Sequence, residues 1–171
     1  MISPQRRGHN PSLFNSIKTN TGYSEIQLKK LRITVLNQLT ERKKRFGDPI
    51  QRLVDLLSES PEGWNIDSER LIRDIKEGVP EGNAKRVFLN YVSGMVASER
   101  LLAATLNKLL QGKKPDKLFV ESAIGVFEKS SISLATASKD PETGISKNTA
   151  VKERTFLLKG LRFLKALNEL L

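Results

Sequence analysis

Side chains able to do covalent, proton-transfer or metal chemistry are scarce in this sequence. It contains no cysteine and a single histidine, His9. Thiol nucleophiles, thiolate zinc sites, iron–sulfur ligation and disulfide frameworks are therefore excluded. A lone imidazole among Gly8, Asn10 and Pro11 offers no scaffold for a Ser-His-Asp triad, a polyhistidine metal site or a histidine proton shuttle. The glycine patterns are equally bare. The run GVPEGN from Gly78 lacks the Walker lysine and follows a helical pattern, and no G-x-G-x-x-G occurs. Asp55, Glu59, Asp67, Glu69, Asp74 and Glu77 have the chemistry for acid–base work or magnesium binding. Helix caps, first turns and i,i+4 pairs such as Glu69 with Arg73 account for them without any reaction. No catalytic residue, metal ligand or cofactor is assigned, and the chain reads as a binding protein, not an enzyme.

Cations supply the positive signal. The chain of 171 residues carries 29 Lys and Arg against 19 Asp and Glu, a formal net charge of +10, unevenly spread. Residues 1–47 hold 10 basic and 2 acidic residues, residues 48–83 hold 4 and 9, and residues 84–114 hold 6 and 1. Such polarity gives the molecule a positive side. The candidate phosphate contacts are Arg6, Arg7 and Lys18 near the N-terminus and Lys29, Lys30, Arg32, Arg42, Lys43, Lys44 and Arg45 in the first long helical pattern. Lys85, Arg86, Lys113 and Lys114 complete the set. Lysine and arginine neutralise phosphates and release counterions, which gives affinity for RNA or DNA without reading sequence. The cluster ERKKRFG is the densest. It also sits where cations complement a helix C-terminus and aid solubility. Phe14, Tyr23 and Trp64 are too few for a stacking platform. The acidic stretch can alternatively meet another copy's basic arm head to tail.

The elements that must position these residues are helices, since apolar residues recur at helical spacing and no sustained period-two pattern occurs. The fold class is all-α, a single bundle of five to six helices over residues 23–171 behind a flexible basic arm at 1–22. Pro4, Gly8, Asn10 and Pro11 interrupt any helix in the arm. The first helix is expected over 25–46, with Ser24 and Gln27 as a capping box and Tyr23 stapling onto Leu28. Leu28, Leu31, Val35, Leu39 and Phe46 form its apolar stripe. Short helices follow Asp48-Pro49 and Asp67, and Trp64 lies in the loop between them. A long helix from about Ala84 to Gln111 is expected to be the central one, and a fifth begins at the Asp116 cap. The small-residue run from Ser130 to Ser138 permits close approach of another backbone, a helix in preference to a nucleic-acid strand.

The last helix, about 149–171, is apolar around much of its circumference. Phe156, Leu161, Phe163 and Leu164 are therefore expected to serve core and protein interface, with Trp64 as a further interface candidate. Lys152, Arg154, Lys159, Arg162 and Lys165 also permit a membrane-surface helix. No apolar run approaches the roughly 20 residues of a membrane span, and no secretory apolar segment is present. A cytoplasmic location is expected, with an organellar transit segment as the alternative reading of the basic, acid-free N-terminus. A small, basic, helical chain without catalytic groups is similar in type to the small subunits of CRISPR effector complexes and to viral nucleoproteins. No motif carries that likeness, so no functional positions transfer from it. The function expected is a structural subunit holding a nucleic-acid backbone beside other subunits or copies of itself. The alternative is an adaptor whose basic face meets an acidic partner.

Overall fold

Local start and stop signals set the helices. In the computed structural model, which describes residues 10–46 and 83–171, they form an all-α bundle. Helix α1 is Pro11–Thr21: the Asn10 side chain accepts from Leu13 N at 3.1 Å, Pro11 takes the first turn, and Gly22 ends it at φ 80°. Helix α2 is Glu25–Phe46, opened by the reciprocal capping box. Ser24 N donates to Gln27 Oε1 at 2.8 Å and Gln27 N donates to Ser24 Oγ at 3.3 Å. Helix α3 is Asn83–Leu110 and α4 is Lys117–Lys139, capped by Asp116. The 3-10 turn Pro141–Thr143 leads through Gly144 to α5, Lys147–Asn168, capped by Ser146.

The expectation of a flexible arm through residue 22 is corrected. Asn10-Pro11 is a helix start, not an interruption, and α1 buries Leu13, Phe14 and Ile17. The 3-10 turn was also not anticipated, and α5 begins two residues before its expected start. The expected helices after Asp48 and Asp67 lie outside the described residues.

Contacts at paired heights make α2, α3, α4 and α5 successive antiparallel neighbours. Arg42 and Arg32 of α2 meet Glu99 and Asn107 of α3, while Ser98 of α3 meets Ser130 of α4. Helix α3 is the central element, packed on both α2 and α4, and α4 packs on α5. Two glycines set the closest approaches. A Cβ at Gly94 would stand 2.8 Å from Ser130 Oγ, and one at Gly160 would run into the Phe127 ring. Ser130 Oγ donates to the Gly94 carbonyl at 2.9 Å. The small residues of α4 thus serve helix packing at Ser130 and Ala137, both buried.

Helix α1 crosses one end of this bundle. Asn10 Nδ2 donates to the Gly112 carbonyl in the α3–α4 turn, and Asn20 Nδ2 donates to the Ala166 carbonyl near the end of α5. The core runs through α3 from Leu89 to Leu109 and takes Phe127 from α4 and Leu157 from α5. Phe156, Phe163 and Leu164 belong to that core, and Leu161 is half-buried against it. Of the four positions expected to serve core and interface, the chain's own helices bury Phe156, Phe163 and Leu164, and Leu161 keeps part of its surface exposed.

Candidate functional site

The seam between α2 and α5 is more loosely packed than the α2–α3, α3–α4 and α4–α5 seams. At the α1 end it is closed by Tyr23, whose ring meets Phe163 edge-on with centroids 5.1 Å apart. Toward the other end the two helices are bridged by Arg42 and Glu153, and there a cleft of 790 Å³ opens.

Arg42 anchors its floor. The residue is 7 % exposed, its Nε donates to Glu99 Oε1 at 2.7 Å, and its Nη1 lies 2.9 Å from Glu153 Oε1. Glu99 is fully buried and Glu153 is 12 % exposed. One guanidinium therefore ties α2 to both α3 and α5, using the fork geometry that lysine lacks. Burial works against the charge on Arg42, but Glu99 and then Glu153 outweigh it and hold its pKa above the usual value. Burial pushes the Glu99 carboxyl up to about 7, against the pull of Arg42 and with help from Glu153. Burial, then the charge of Glu153, also raises the Tyr91 hydroxyl.

The cluster is polar but incompletely paired. Among the described residues of this cluster, Gln38 Oε1 and Glu99 Oε2 are buried without a hydrogen-bond partner, and the Tyr91 hydroxyl is set against Glu153. Met95 and Phe156 give the cleft its apolar lining, and Thr34, Asn37 and Thr149 line it with small polar groups. Glu41, Lys44, Arg45 and Lys152 line it too, all four exposed. Lys44 lies 3.5 Å from Glu41, an exposed i,i+3 pair of small energetic weight.

The predicted phosphate contacts separate under this geometry. Lys44 and Arg45 reach the cleft, whereas Arg42, predicted beside them, is committed to two carboxylates below the surface. Its placement among surface phosphate contacts is corrected: the helical turn that exposes Lys44 and Arg45 points Arg42 at α3. Lys29 and Lys30 are exposed on α2, and Arg32 is half-buried with its guanidinium 3.4 Å from Asn107 Oδ1. Lys18, Lys113 and Lys114 are exposed at the α1 end of the bundle. Arg86 is exposed near the start of α3, roughly 20 Å along the axis from Glu99 at 1.5 Å per residue. The cations therefore form several patches. Arg6, Arg7 and Trp64, and the side chains of Lys43 and Lys85, lie outside what is described.

Sequence reasoning missed the contribution of α5. Lys152 joins the cleft, and Arg154, Lys159, Arg162 and Lys165 are exposed along the same helix. Their signal was present as charge, but only packing distinguishes these outward positions from the inward Glu153. Among the described residues no His, Asp and Glu side chains gather as a metal site, and no helix is long and apolar enough to cross a membrane. Comparison with known protein families, curated proteins and solved structures finds no match to this chain.

Proposed function

We propose that this protein binds the phosphate backbone of a nucleic acid along the α2–α5 cleft, as a non-catalytic structural subunit of a nucleoprotein assembly. The observation that carries the reading is the convergence of Lys44 and Arg45 from α2 with Lys152 from α5 on one cleft. Among the charged residues that line it, these three outnumber Glu41, while Arg42 offsets Glu153. Positive charge across a concave, partly low-dielectric surface is focused outward, where phosphates are attracted. Lys159, seven residues after Lys152 and so on nearly the same side of α5, is also exposed and extends the positive surface by roughly 10 Å at 1.5 Å per residue.

The test is a salt titration of binding to a labelled RNA and DNA, with the parent and with Lys44→Glu/Lys152→Glu. Each phosphate contact contributes about 0.7 to 0.9 to the slope of log K against log salt. The double variant should lose roughly 1.5 from that slope and bind far more weakly, with unchanged helical content. An unaltered slope and affinity would remove the cleft from the binding surface.

One observation favours a second reading, the adaptor. Ile26, Ile33 and Leu36 are exposed on α2 at i, i+7 and i+10, an apolar strip beside the cations. That combination suits an acidic amphipathic protein partner. Weak, salt-insensitive binding to both nucleic acids, with a stoichiometric acidic protein bound by the parent and lost on Ile33→Asp, would favour it.

A further inference from the structure

We propose that the outward face of α4 pairs with the same face of a second copy of this chain, the two α4 helices running antiparallel and meeting at Gly125. Glycine inside a helix is unfavourable relative to alanine and serves where another group must come close. Gly94 and Gly160 have such neighbours in Ser130 and the Phe127 ring. Gly125 lies near the middle of α4 and is exposed, and a Cβ there would meet nothing within 4 Å among the described residues. Leu118 and Ile132, 71 % and 68 % exposed, stand seven residues to either side of it. At about 100° per residue, these three positions fall within about 20° of one line along the helix. A bare backbone at the centre of that line lets a facing helix approach, and the large apolar side chain at each end has that helix to cover it.

The charges beside the line point to a second copy as the partner. Glu121 stands four residues before Gly125 and Lys129 four residues after it, both exposed, about 40° to opposite sides of the line. In an antiparallel twofold pair, each position comes to the height of the one equally far beyond Gly125 in the other copy. Leu118 then meets Ile132 of the second copy, and Glu121 meets its Lys129, each contact occurring twice. Lys117, 3.8 Å from Glu121 within one chain, is exposed and lies about 80° off the line. The exposed apolar residues of the other helices lack this self-complementarity. Ile26, Ile33 and Leu36 of α2 stand near Lys29 and Lys30, and Val151 and Leu158 of α5 near Lys152, Arg154 and Lys159, so a second copy would meet like charge there. Helix α4 packs on α3 and α5, so pairing through its outward face leaves α2, with Lys44 and Arg45, uncovered in both copies. The proposal does not depend on the phosphate-binding reading. One helix pair is smaller than the roughly 1,200–2,000 Å² of a standard stable interface, so the dimer should dissociate on dilution.

The experiment is sedimentation equilibrium of the full chain, freed of nucleic acid, from low-micromolar to near-millimolar concentration. The average mass should rise with concentration from one chain toward two. Glu121→Lys and Lys129→Glu should each weaken self-association about ten-fold, because each sets two like-charged pairs across the seam. Mixed in equal amounts, the two variants should associate with each other at about the parent's strength, since both facing pairs are then Lys with Glu. Gly125→Gln, whose side chain has open space in the single chain, should abolish association while leaving the melting temperature of dilute protein near the parent's. A chain that stays monomeric over the whole range would overturn the proposal. A dimer indifferent to the charge variants, or one that their mixture does not restore, would overturn it as well.

Discussion

Replacing Arg42 with methionine is the most incisive perturbation of this fold. The substitution keeps much of the aliphatic stem but removes the one cation between Glu99 and Glu153, whose nearest oxygens lie 2.7 and 2.9 Å from it. Two carboxylates, one fully buried and one 12 % exposed, then face each other without a counter-charge. Breaking a buried ion pair from one side costs about 3–5 kcal/mol. At about 2–4 °C per kcal/mol in a domain of this size, the melting temperature should fall by roughly 10 °C near neutral pH. The loss should depend on pH in a defined direction. The folded-state pKa of Glu99 is raised from 4.5 to about 7, so between those values the folded state holds more protons than the unfolded one. The Glu99 contribution to stability therefore declines as pH rises through that window, by about 3 kcal/mol in all, and is level above it. Without Arg42 the carboxyl rises further, and the defect should be larger at about pH 8 than at about pH 5, where Glu99 enters the fold neutral. Arg42→Met/Glu99→Gln should recover much of the loss at the higher pH. Circular-dichroism melts and urea titrations at the two pH values measure all of this. A single variant melting within about 2 °C of the parent at both pH values would refute the account of Arg42 as the clamp of the cleft.

Two further perturbations address the packing that holds the cleft in shape. Gly160→Ala should destabilise by about 1–3 kcal/mol despite alanine's better helix propensity, because its Cβ would meet the buried Phe127 ring. Gly125→Ala, with nothing within 4 Å of the new methyl group, should instead stabilise by up to about 1 kcal/mol. Urea midpoints of equal sign for the two variants would count against the close approach of α4 and α5. Phe14→Ala should cost about 3–5 kcal/mol, since this α1 side chain is 7 % exposed within the core. A melt unchanged from the parent would show that α1 contributes little to the fold.

Much of the local structure is legible in the residues alone. Ser24, Gln27 and Asp116 announce helix starts because a capping interaction is completed within three or four residues, and α2 spans the predicted 25–46. The apolar periodicity of α3 likewise suffices to place it at the centre, because a helix of 28 residues with Leu, Val and Met around it cannot remain at the surface. Asn10-Pro11 departs from its expected role because the same two residues either interrupt a helix or begin one. The outcome turns on whether Leu13, Phe14 and Ile17 find a surface to cover, and that surface is made by the α3–α4 turn and the end of α5.

The candidate site divides along the same line. Composition by itself determined that the chain is basic, lacks thiols, and has one imidazole, because these are properties of residue type that folding does not alter. Which cations face outward was decided only by the tertiary structure. Arg42, Lys44 and Arg45 are near neighbours in the chain, yet a helix turns about 100° per residue, so one meets carboxylates in α3 and α5 while two reach the cleft. Glu99 and Glu153 stand 54 positions apart and carry no shared motif. They meet because α3 and α5 are brought against the same guanidinium, a long-range juxtaposition that no local pattern encodes.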